Sequence, residues 1–265
     1  MSAMDYQCIR FAIEGGIARL TFNRPEKLNS FNTAMHAEIR DALARVQSPG
    51  VRVLLITGAG RGFCAGQDLG DRAVAPGQQG VDLGESIETH YAPLVLALRA
   101  LPLPVIAAVN GVAAGAGANV ALACDLVIAA RSATFVQAFS KLGLVPDSGG
   151  TWILPRLVGT ARAIGLTFLG EKLSAADAAA WGLIWRCVED AELTATVEAL
   201  AAQLAAAPTL GLARTKQAIQ GAWTRTFAEQ LAVERDLQRE LGWSHDYAEG
   251  VAAFAEKRPP RFSGH

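Results

Sequence analysis

Three short apolar runs, with helical patterns between them, constrain the fold of this chain most. They are rich in β-branched residues and cover 51–57, 104–109 and 125–129. Such runs are typical of strands that are covered on both faces. Residues 32–47 and 86–101 carry apolar positions at helical spacing. The alternation of strand and helix predicts an α/β fold with parallel pairing of the strands.

The chain opens with a predicted β-hairpin. Residues 9–13 and 17–22 alternate apolar and polar side chains on either side of the Gly15-Gly16 pair, which is the pattern of two antiparallel strands joined by a tight turn. A stretch rich in glycine and proline over 73–84 predicts a surface loop.

The C-terminal part of the chain changes to an alanine-rich helical pattern. Ser174–Asp177 has the spacing of a capping box and predicts the start of a helix, and further helices are predicted over 192–222 and 225–256. We divide the chain into a core over 1–190 and a helical region over 191–265. An apolar helical region of this kind packs against another subunit in many proteins, which predicts an oligomer.

Charge and cysteine content exclude several classes of function. The 24 basic residues are balanced by 25 acidic ones, so no net field attracts a nucleic acid or an anionic membrane. No run approaches the ~20 apolar residues of a membrane span. The four cysteines are widely spaced without a C-x-x-C pair, which predicts neither a zinc site nor a disulfide framework but a reducing, cytoplasmic location.

Two glycine-rich loops follow predicted strands. In the first, over 57–68, Phe63 stands where a dinucleotide-binding fingerprint needs a small residue. Either this is a flexible connection, or its glycines let a ligand approach bare backbone N–H groups. The second loop, over 110–119, leads into an apolar helix. It suits a developing oxyanion at the helix N-terminus, or it supplies small residues for tight packing of helix on sheet.

A single carboxylate, Asp147, lies in the apolar segment 144–152. Burial among apolar residues raises the pKa of a carboxyl group toward the range that suits acid/base catalysis. An alternative is that Asp147 or Ser148 caps the helix that begins near Thr151. The local sequence leaves both interpretations open.

Basic residues stand beside aromatic residues in two places. Arg24 and Lys27 form one cluster, and the segment 254–262 contains the other. Such clusters can bind a phosphorylated ligand that contains adenine. Taken singly, each is more typical of a solvated surface or of a helix end that favours cations than of a binding site.

Four motifs in this order and spacing resemble the crotonase (enoyl-CoA hydratase/isomerase) superfamily. The similarity extends over nearly the whole chain. The motifs are Asn23-Arg24-Pro25 with Leu28-Asn29-Ser30-Phe31, then Gly62–Asp68, then Gly111–Gly117, then Pro146–Thr151.

The resemblance implies a spiral of ββα units and a C-terminal helical region that builds trimers or dimers of trimers. It implies an acyl-CoA substrate, with no separate cofactor and no metal. The residues that match an oxyanion hole, through their backbone N–H groups, are Ala65 and Ala116. Those that match contacts to substrate or CoA are Arg24, Lys27, Ala65, Gln67, Asp68, Leu69, Gly115, Asn119, Phe139 and, from a neighbouring subunit, Phe254 and Lys257.

The sequence departs from the family pattern at the catalytic carboxylates. Asn119 and Phe139 occupy the positions of the two glutamates with which hydratases activate water, and neither side chain transfers protons. Asp147 matches the single aspartate of isomerases and of a dehalogenase.

The resemblance therefore implies isomerisation of acyl-CoA thioesters: 1,2-epoxyphenylacetyl-CoA to an oxepin, and 3-enoyl-CoA to 2-enoyl-CoA. The alternatives that stay open are a hydratase, a dehalogenase or hydrolase in which Asp147 is a nucleophile, and a CoA-binding subunit without catalytic activity.

Overall fold

Two sheets form the frame of the protein in a computed structural model, which describes residues 6–72 and 82–265. The strands are β1 (Ile9–Glu14), β2 (Ile17–Phe22), β3 (Val53–Gly58), β4 (Gly62–Cys64), β5 (Val105–Val109), β6 (Val112–Ala114), β7 (Leu126–Ala130), β8 (Thr134–Val136), β9 (Lys172–Ser174) and β10 (Arg186–Val188). The larger sheet has the order β1-β2-β3-β5-β7-β10, and the smaller has the order β4-β6-β8-β9.

Helices follow the strands and then continue alone to the C-terminus. They are α1 (Thr33–Val46), α2 (Leu83–Ser86), α3 (Ala92–Ala100), α4 (Ala116–Leu122), α5 (Gly150–Leu169), α6 (Ala175–Ala180), α7 (Leu193–Ala205), α8 (Thr209–Ala222), α9 (Phe227–Leu241) and α10 (His245–Glu256). Short 3-10 helices lie at Pro25–Lys27, Leu69–Arg72, Ala138–Leu142 and Asp190–Glu192, and a π-helical turn lies at Ile87–Tyr91.

The pairing of the strands confirms the predicted α/β class. The hairpin β1–β2 is antiparallel, and β2, β3, β5, β7 and β10 then pair in parallel. After β3, β5 and β7 the chain turns into a short strand of the smaller sheet, and that sheet is parallel from β4 through β8. The recurring step from a long strand to a short one builds the spiral that the resemblance implies.

The central strands of the larger sheet are buried on both faces. Every residue of β5 is buried, and Leu54, Ile56 and Ile128 of its neighbours are almost completely excluded from solvent. Helix α7 packs against β2, β3, β5 and β7. Burial on both faces explains why these strands are apolar throughout instead of alternating.

Two of the predicted helical segments are interrupted in the structure. The helical structure predicted over 192–222 is confirmed as two helices, because α7 ends at Ala205, α8 begins at Thr209, and the chain bends by 105° between them. Pro208 lies at this break, and proline has no N–H to donate and disfavours a helical residue before it. The helical structure predicted over 225–256 is likewise confirmed as two helices, because α9 ends at Leu241 and Ser244 caps α10.

One further prediction is confirmed, and another is only partly covered by the described residues. The hydroxyl of Ser174 accepts a hydrogen bond from Asp177 N at 3.0 Å, which confirms the predicted start of α6. Residues 73–81 of the loop predicted over 73–84 lie outside the described residues, and its last part is wrong, because Asp82 caps α2, which begins at Leu83. Within 6–72 and 82–265, no single helix is long and apolar enough to cross a membrane.

Candidate active site

The first glycine-rich loop lies against the residue pair Leu28 and Phe31. Ala65 N donates to Leu28 O at 2.9 Å. Phe31 N donates to Gly66 O at 2.7 Å, and Asp68 N donates to Phe31 O at 2.9 Å, which makes a parallel bridge opposite Gln67. In this parallel bridge Phe31 bonds to the residues on either side of Gln67, so the Gln67 N–H points away from Phe31.

The Ala65 amide is therefore not the one that the structure leaves available. Its N–H is already used in the bond to Leu28, which corrects the prediction that it forms an oxyanion hole. The amide two residues later, at Gln67, points the other way. Among the described residues, no acceptor lies within hydrogen-bond distance of Gln67 N. The amide that is available thus lies two residues after the one predicted from the sequence, on the same extended segment.

The second glycine-rich loop brings another amide to the same place. Helix α4 begins at Ala116 after Gly115, which has a φ of +52° and no side-chain cap. The first N–H groups of a helix have no partner within it, and no acceptor for Ala116 N is found in 6–72 or 82–265. A Cβ added to Gly66 would lie 2.9 Å from Ala114 O and 3.5 Å from Ala116 N. The two loops are thus in direct backbone contact.

Asp147 lies in the turn before α5, and its side chain is half-buried. The N-cap of that helix is Gly149, with a φ of +82° and no side-chain cap bond. The capping interpretation of Asp147 and Ser148 is therefore wrong. The buried Ser148 instead donates its hydroxyl to Asp147 Oδ1 at 2.9 Å, from a backbone with a φ of +51°.

Asn119 and Phe139 pack around this turn. Asn119 has no solvent exposure, and its Nδ2 donates to the backbone carbonyl of Asp147 at 2.8 Å. Its Oδ1 accepts from Gln137 Nε2 at 2.9 Å. Phe139 is buried, and its Cζ lies 3.7 Å from where a Cβ of Gly115 would be. The fold thus brings Asn119 next to the Asp147 turn and Phe139 next to the second glycine-rich loop.

Arg24 and Asp68 form an ion pair with little exposure. Arg24 Nη2 lies 2.9 Å from Asp68 Oδ2, with side-chain exposures of 14% and 11%, and Arg24 Nη1 donates to Ser30 O. The hydrogen bond from Arg24 holds the pKa of Asp68 below its usual range. Asp68 is therefore ionised at neutral pH, and both side chains are engaged in holding the loop. Lys27 nearby is exposed.

Gln67 is anchored by a residue that sequence reasoning missed. Tyr91 has no solvent exposure, and its hydroxyl donates to Gln67 Oε1 at 2.7 Å. Gln137 and Ser148 were missed as well. Tyr91 fits the apolar pattern of 86–101, and no local signal marks Gln137, since its partner is 18 residues away. Leu69, in contrast, is exposed beside the loop.

Cys64 is a buried thiol directly before Ala65 of the first loop. Burial raises the pKa of the Cys64 thiol, next to Ala65, to about 12, so this thiol is not ionised at neutral pH and is a poor nucleophile. In the part of the chain that the structure describes, no three His, Cys, Asp or Glu side chains are grouped to hold a metal ion.

The family model described as enoyl-CoA hydratase/isomerase matches residues 12–265. The chain belongs to the enoyl-CoA hydratase/isomerase family. A 1,2-epoxyphenylacetyl-CoA isomerase of Escherichia coli is 58% identical to it over 253 residues, which are 95% of this chain and 97% of the other. A Rhodobacter capsulatus protein named "Probable enoyl-CoA hydratase" is 49% identical over 98% of this chain and 100% of its own.

Solved structures of the family have the same fold. An enoyl-CoA hydratase from Bacillus anthracis superposes with a TM-score of 0.91 at 32% identity, covering 98% of this chain and 100% of the other. The spiral of ββα units predicted from the resemblance is thereby confirmed. The division at residue 190 stays a prediction.

Two of the residues predicted to contact CoA lie far along the chain, at the end of α10. Phe254 is 87% exposed, and Lys257 follows the helix with a left-handed φ of 55°. No hydrogen bond or ion pair of the described residues joins either side chain to the loops around Asp147. That they serve a neighbouring subunit stays a prediction.

Proposed function

We propose that this chain is an acyl-CoA isomerase in which Asp147 transfers the proton. The observation that carries this proposal concerns the acidic residues of the three chain segments that form the site. Segments 59–69, 110–119 and 137–150 contain Asp68 and Asp147 as their acidic residues. Asp68 is tied to Arg24 and stays ionised. Asp147 is half-buried on the turn that Asn119 of α4 contacts, and it is the carboxylate suited to acid/base work.

The thioester oxygen is proposed to accept hydrogen bonds from Gln67 N–H and Ala116 N–H. When a proton leaves the carbon next to the thioester, negative charge moves to that oxygen. A fixed amide donor in a comparable site contributes roughly 2.7–4 kcal/mol to the transition state. Helix α4 adds the positive end of its dipole at Ala116.

One carboxylate is sufficient for this chemistry. Asp147 takes a proton from one carbon of the acyl group and returns it to another, so substrate and product contain the same atoms and no co-reactant is consumed. Hydration by two carboxylates is disfavoured, because Asn119 and Phe139 stand at the glutamate positions.

The substrate class is inferred from the relatives and the site together. The Escherichia coli relative named 1,2-epoxyphenylacetyl-CoA isomerase is 58% identical over nearly the full chain. We therefore infer conversion of 1,2-epoxyphenylacetyl-CoA to an oxepin thioester, together with a shift of 3-enoyl to 2-enoyl double bonds. No cofactor beyond the CoA of the substrate enters this proposal.

The CoA part is proposed to bind at Lys27 and Leu69, with Phe254 and Lys257 supplied by a neighbouring subunit of a trimer or a dimer of trimers. The large exposed apolar side chains of α8 to α10 support this assembly. Arg24 contributes by holding the loop through Asp68. A CoA thioester substrate also fits the cytoplasmic location expected from the cysteines.

The substitution Asp147→Asn tests the proposal. We expect kcat on 3-enoyl-CoA to fall by about 10²–10⁴-fold, the usual contribution of an acid/base group, while the Kd for a CoA thioester changes little. Asp177→Asn, at an exposed position of α6, is the matched control. A parental rate for Asp147→Asn would refute the assignment. A covalent adduct on Asp147, found by mass spectrometry of the intact protein, would favour the nucleophilic alternative.

A further inference from the structure

Asn119 connects the two halves of the proposed site. It lies on α4, three residues after Ala116, so the two residues share one face of the helix. From that face its Nδ2 reaches Asp147 O at 2.8 Å. The amide donor at Ala116 and the turn that carries Asp147 are therefore attached to the same short helix.

Packing alone does not account for an asparagine here. The side chain is completely buried, and burying an amide is unfavourable unless its groups are hydrogen-bonded. An apolar side chain of similar size would fill the same volume without this requirement. The turn is also pressed closely onto the amide, because a Cβ added to Gly150 would lie 2.5 Å from Asn119 Nδ2.

Gln137 determines which way the Asn119 amide faces. Its Nε2 donates to Asn119 Oδ1 at 2.9 Å, which leaves Nδ2 to point at Asp147. Gln137 is only 4% exposed, and within the described residues its own Oε1 has no hydrogen-bond partner. A buried acceptor without a partner is unfavourable. The arrangement thus keeps the Asn119 amide oriented at a cost in stability.

The Asp147 turn needs such an anchor. Ser148 adopts a positive φ of 51°, just before Gly149 at 82°, and a residue other than glycine persists in this strained conformation only where surrounding contacts hold it. Ser148 in turn contacts the Asp147 carboxylate. The bond to the Asp147 carbonyl therefore restrains the backbone from which both side chains project.

We propose that Asn119 is a positioning residue for Asp147, with Gln137 as the residue that orients it. The inference rests on the proposed function, since it concerns the placement of the proposed catalytic carboxylate. Asn119 fixes the Asp147 carboxylate relative to the Ala116 amide. The distance and direction between the acid/base group and the oxyanion donor therefore stay the same. Where hydratases have a glutamate, this chain has an asparagine whose side chain anchors the Asp147 turn.

The first test replaces Asn119 with leucine, which has a similar size and no polar atoms. We expect kcat on 3-enoyl-CoA to fall by about 100-fold, as small displacements of reacting groups do, while KM and the Kd for the CoA thioester change by less than about twofold. Gln137→Leu should lower kcat by a smaller factor, and adding it to Asn119→Leu should have no further effect.

The matched control is Thr209→Val. Thr209 is also buried, and its hydroxyl accepts a hydrogen bond from Arg52 Nε at 2.9 Å, but it lies outside the loops of the proposed site. If loss of a buried hydrogen bond were sufficient to lower kcat, Thr209→Val would lower it as strongly as Asn119→Leu. That result would overturn the inference.

A double-mutant cycle with Asp147→Asn separates positioning from a structural effect. In the Asp147→Asn background, Asn119→Leu should change the residual rate by less than about twofold, because the group that it positions is gone. A full additional loss would show that Asn119 acts elsewhere, and the inference would fail. If Asn119→Leu does not fold, Gln137→Leu in the same two backgrounds gives the same test.

The two proposals fail in different ways. Parental activity of Asp147→Asn would remove the proposed function, whatever Asn119 does. Loss of activity in Asp147→Asn, combined with a parental kcat in a folded Asn119→Leu protein, would remove only the positioning role.

Discussion

Gly66 is the residue at which the two amide-bearing loops meet. Its φ of +90° is unfavourable for a residue with a side chain, and the nearest atom to an added Cβ is a backbone oxygen, Ala114 O at 2.9 Å. Backbone cannot move away as a flexible side chain would. Any side chain at this position must therefore push the Gln67 and Ala116 amides apart.

We expect Gly66→Ala to lower kcat by about 10²–10³-fold, which is the effect of removing one oxyanion donor in a comparable site. Steady-state kinetics with 3-enoyl-CoA provide the measurement. Gly15→Ala is the matched control, because Gly15 also has a positive φ of 59° but nothing within 4 Å of an added Cβ. Similar kcat values for Gly66→Ala and the parent protein would argue against the proposed amide pair.

At the scale of elements, the end of α9 and the start of α10 determine where the C-terminal residues lie. Ser244 accepts a hydrogen bond from Tyr247 N at 3.1 Å and so begins a new helix after Gly242 and Trp243. Without the break, α9 would continue in one direction and carry Phe254 elsewhere. The cap is therefore part of how the predicted CoA contacts are placed.

Ser244→Ala should lower the free energy of unfolding by about 1 kcal/mol, the usual contribution of an N-cap hydroxyl. Urea-induced unfolding at one fixed protein concentration measures this, since subunit association also affects apparent stability. Ser244→Thr keeps a hydroxyl at the cap and should retain most of the stability. Equal destabilisation by both substitutions would show that the cap bond is not the cause.

At the scale of the whole molecule, the C-terminal helices expose several large apolar side chains, and grouped exposed apolar side chains mark interaction surfaces. Trp223, Phe227 and Trp243 are 66%, 80% and 88% exposed. A cavity of about 750 Å³ between α8 and α9 includes Trp223 and Leu231 in its lining. These surfaces are the ones that we expect neighbouring subunits to cover.

Replacing both Trp223 and Phe227 with serine should therefore weaken self-association, which sedimentation velocity measures as a shift to smaller species. The same change should raise KM for the CoA thioester if Phe254 and Lys257 act across the interface. Ile13→Ser is the control, because Ile13 is an exposed apolar residue, at 44%, on the distant hairpin. A parental sedimentation profile for the double substitution would contradict the expected interface.

The site illustrates what local sequence can and cannot predict. The spacing of the motifs identified the two glycine-rich loops and Asp147, and the fold brings all three together. The choice between the Ala65 and Gln67 amides could not be made locally, because it depends on bonds to Leu28 and Phe31, more than 30 residues earlier. The role of Asn119 likewise depends on Gln137 and on Asp147, which lies 28 residues away.

The sequence by itself determined the α/β class, the order of the elements and the loops that hold the candidate site, since periodicity and turn residues act between near neighbours. Only the tertiary structure decided which amides are free, how the Asp147 turn is held and where the C-terminal helices break. The reason is physical: each N–H has one partner at most in these loops, and that partner is chosen by the packing of segments that are distant in the chain.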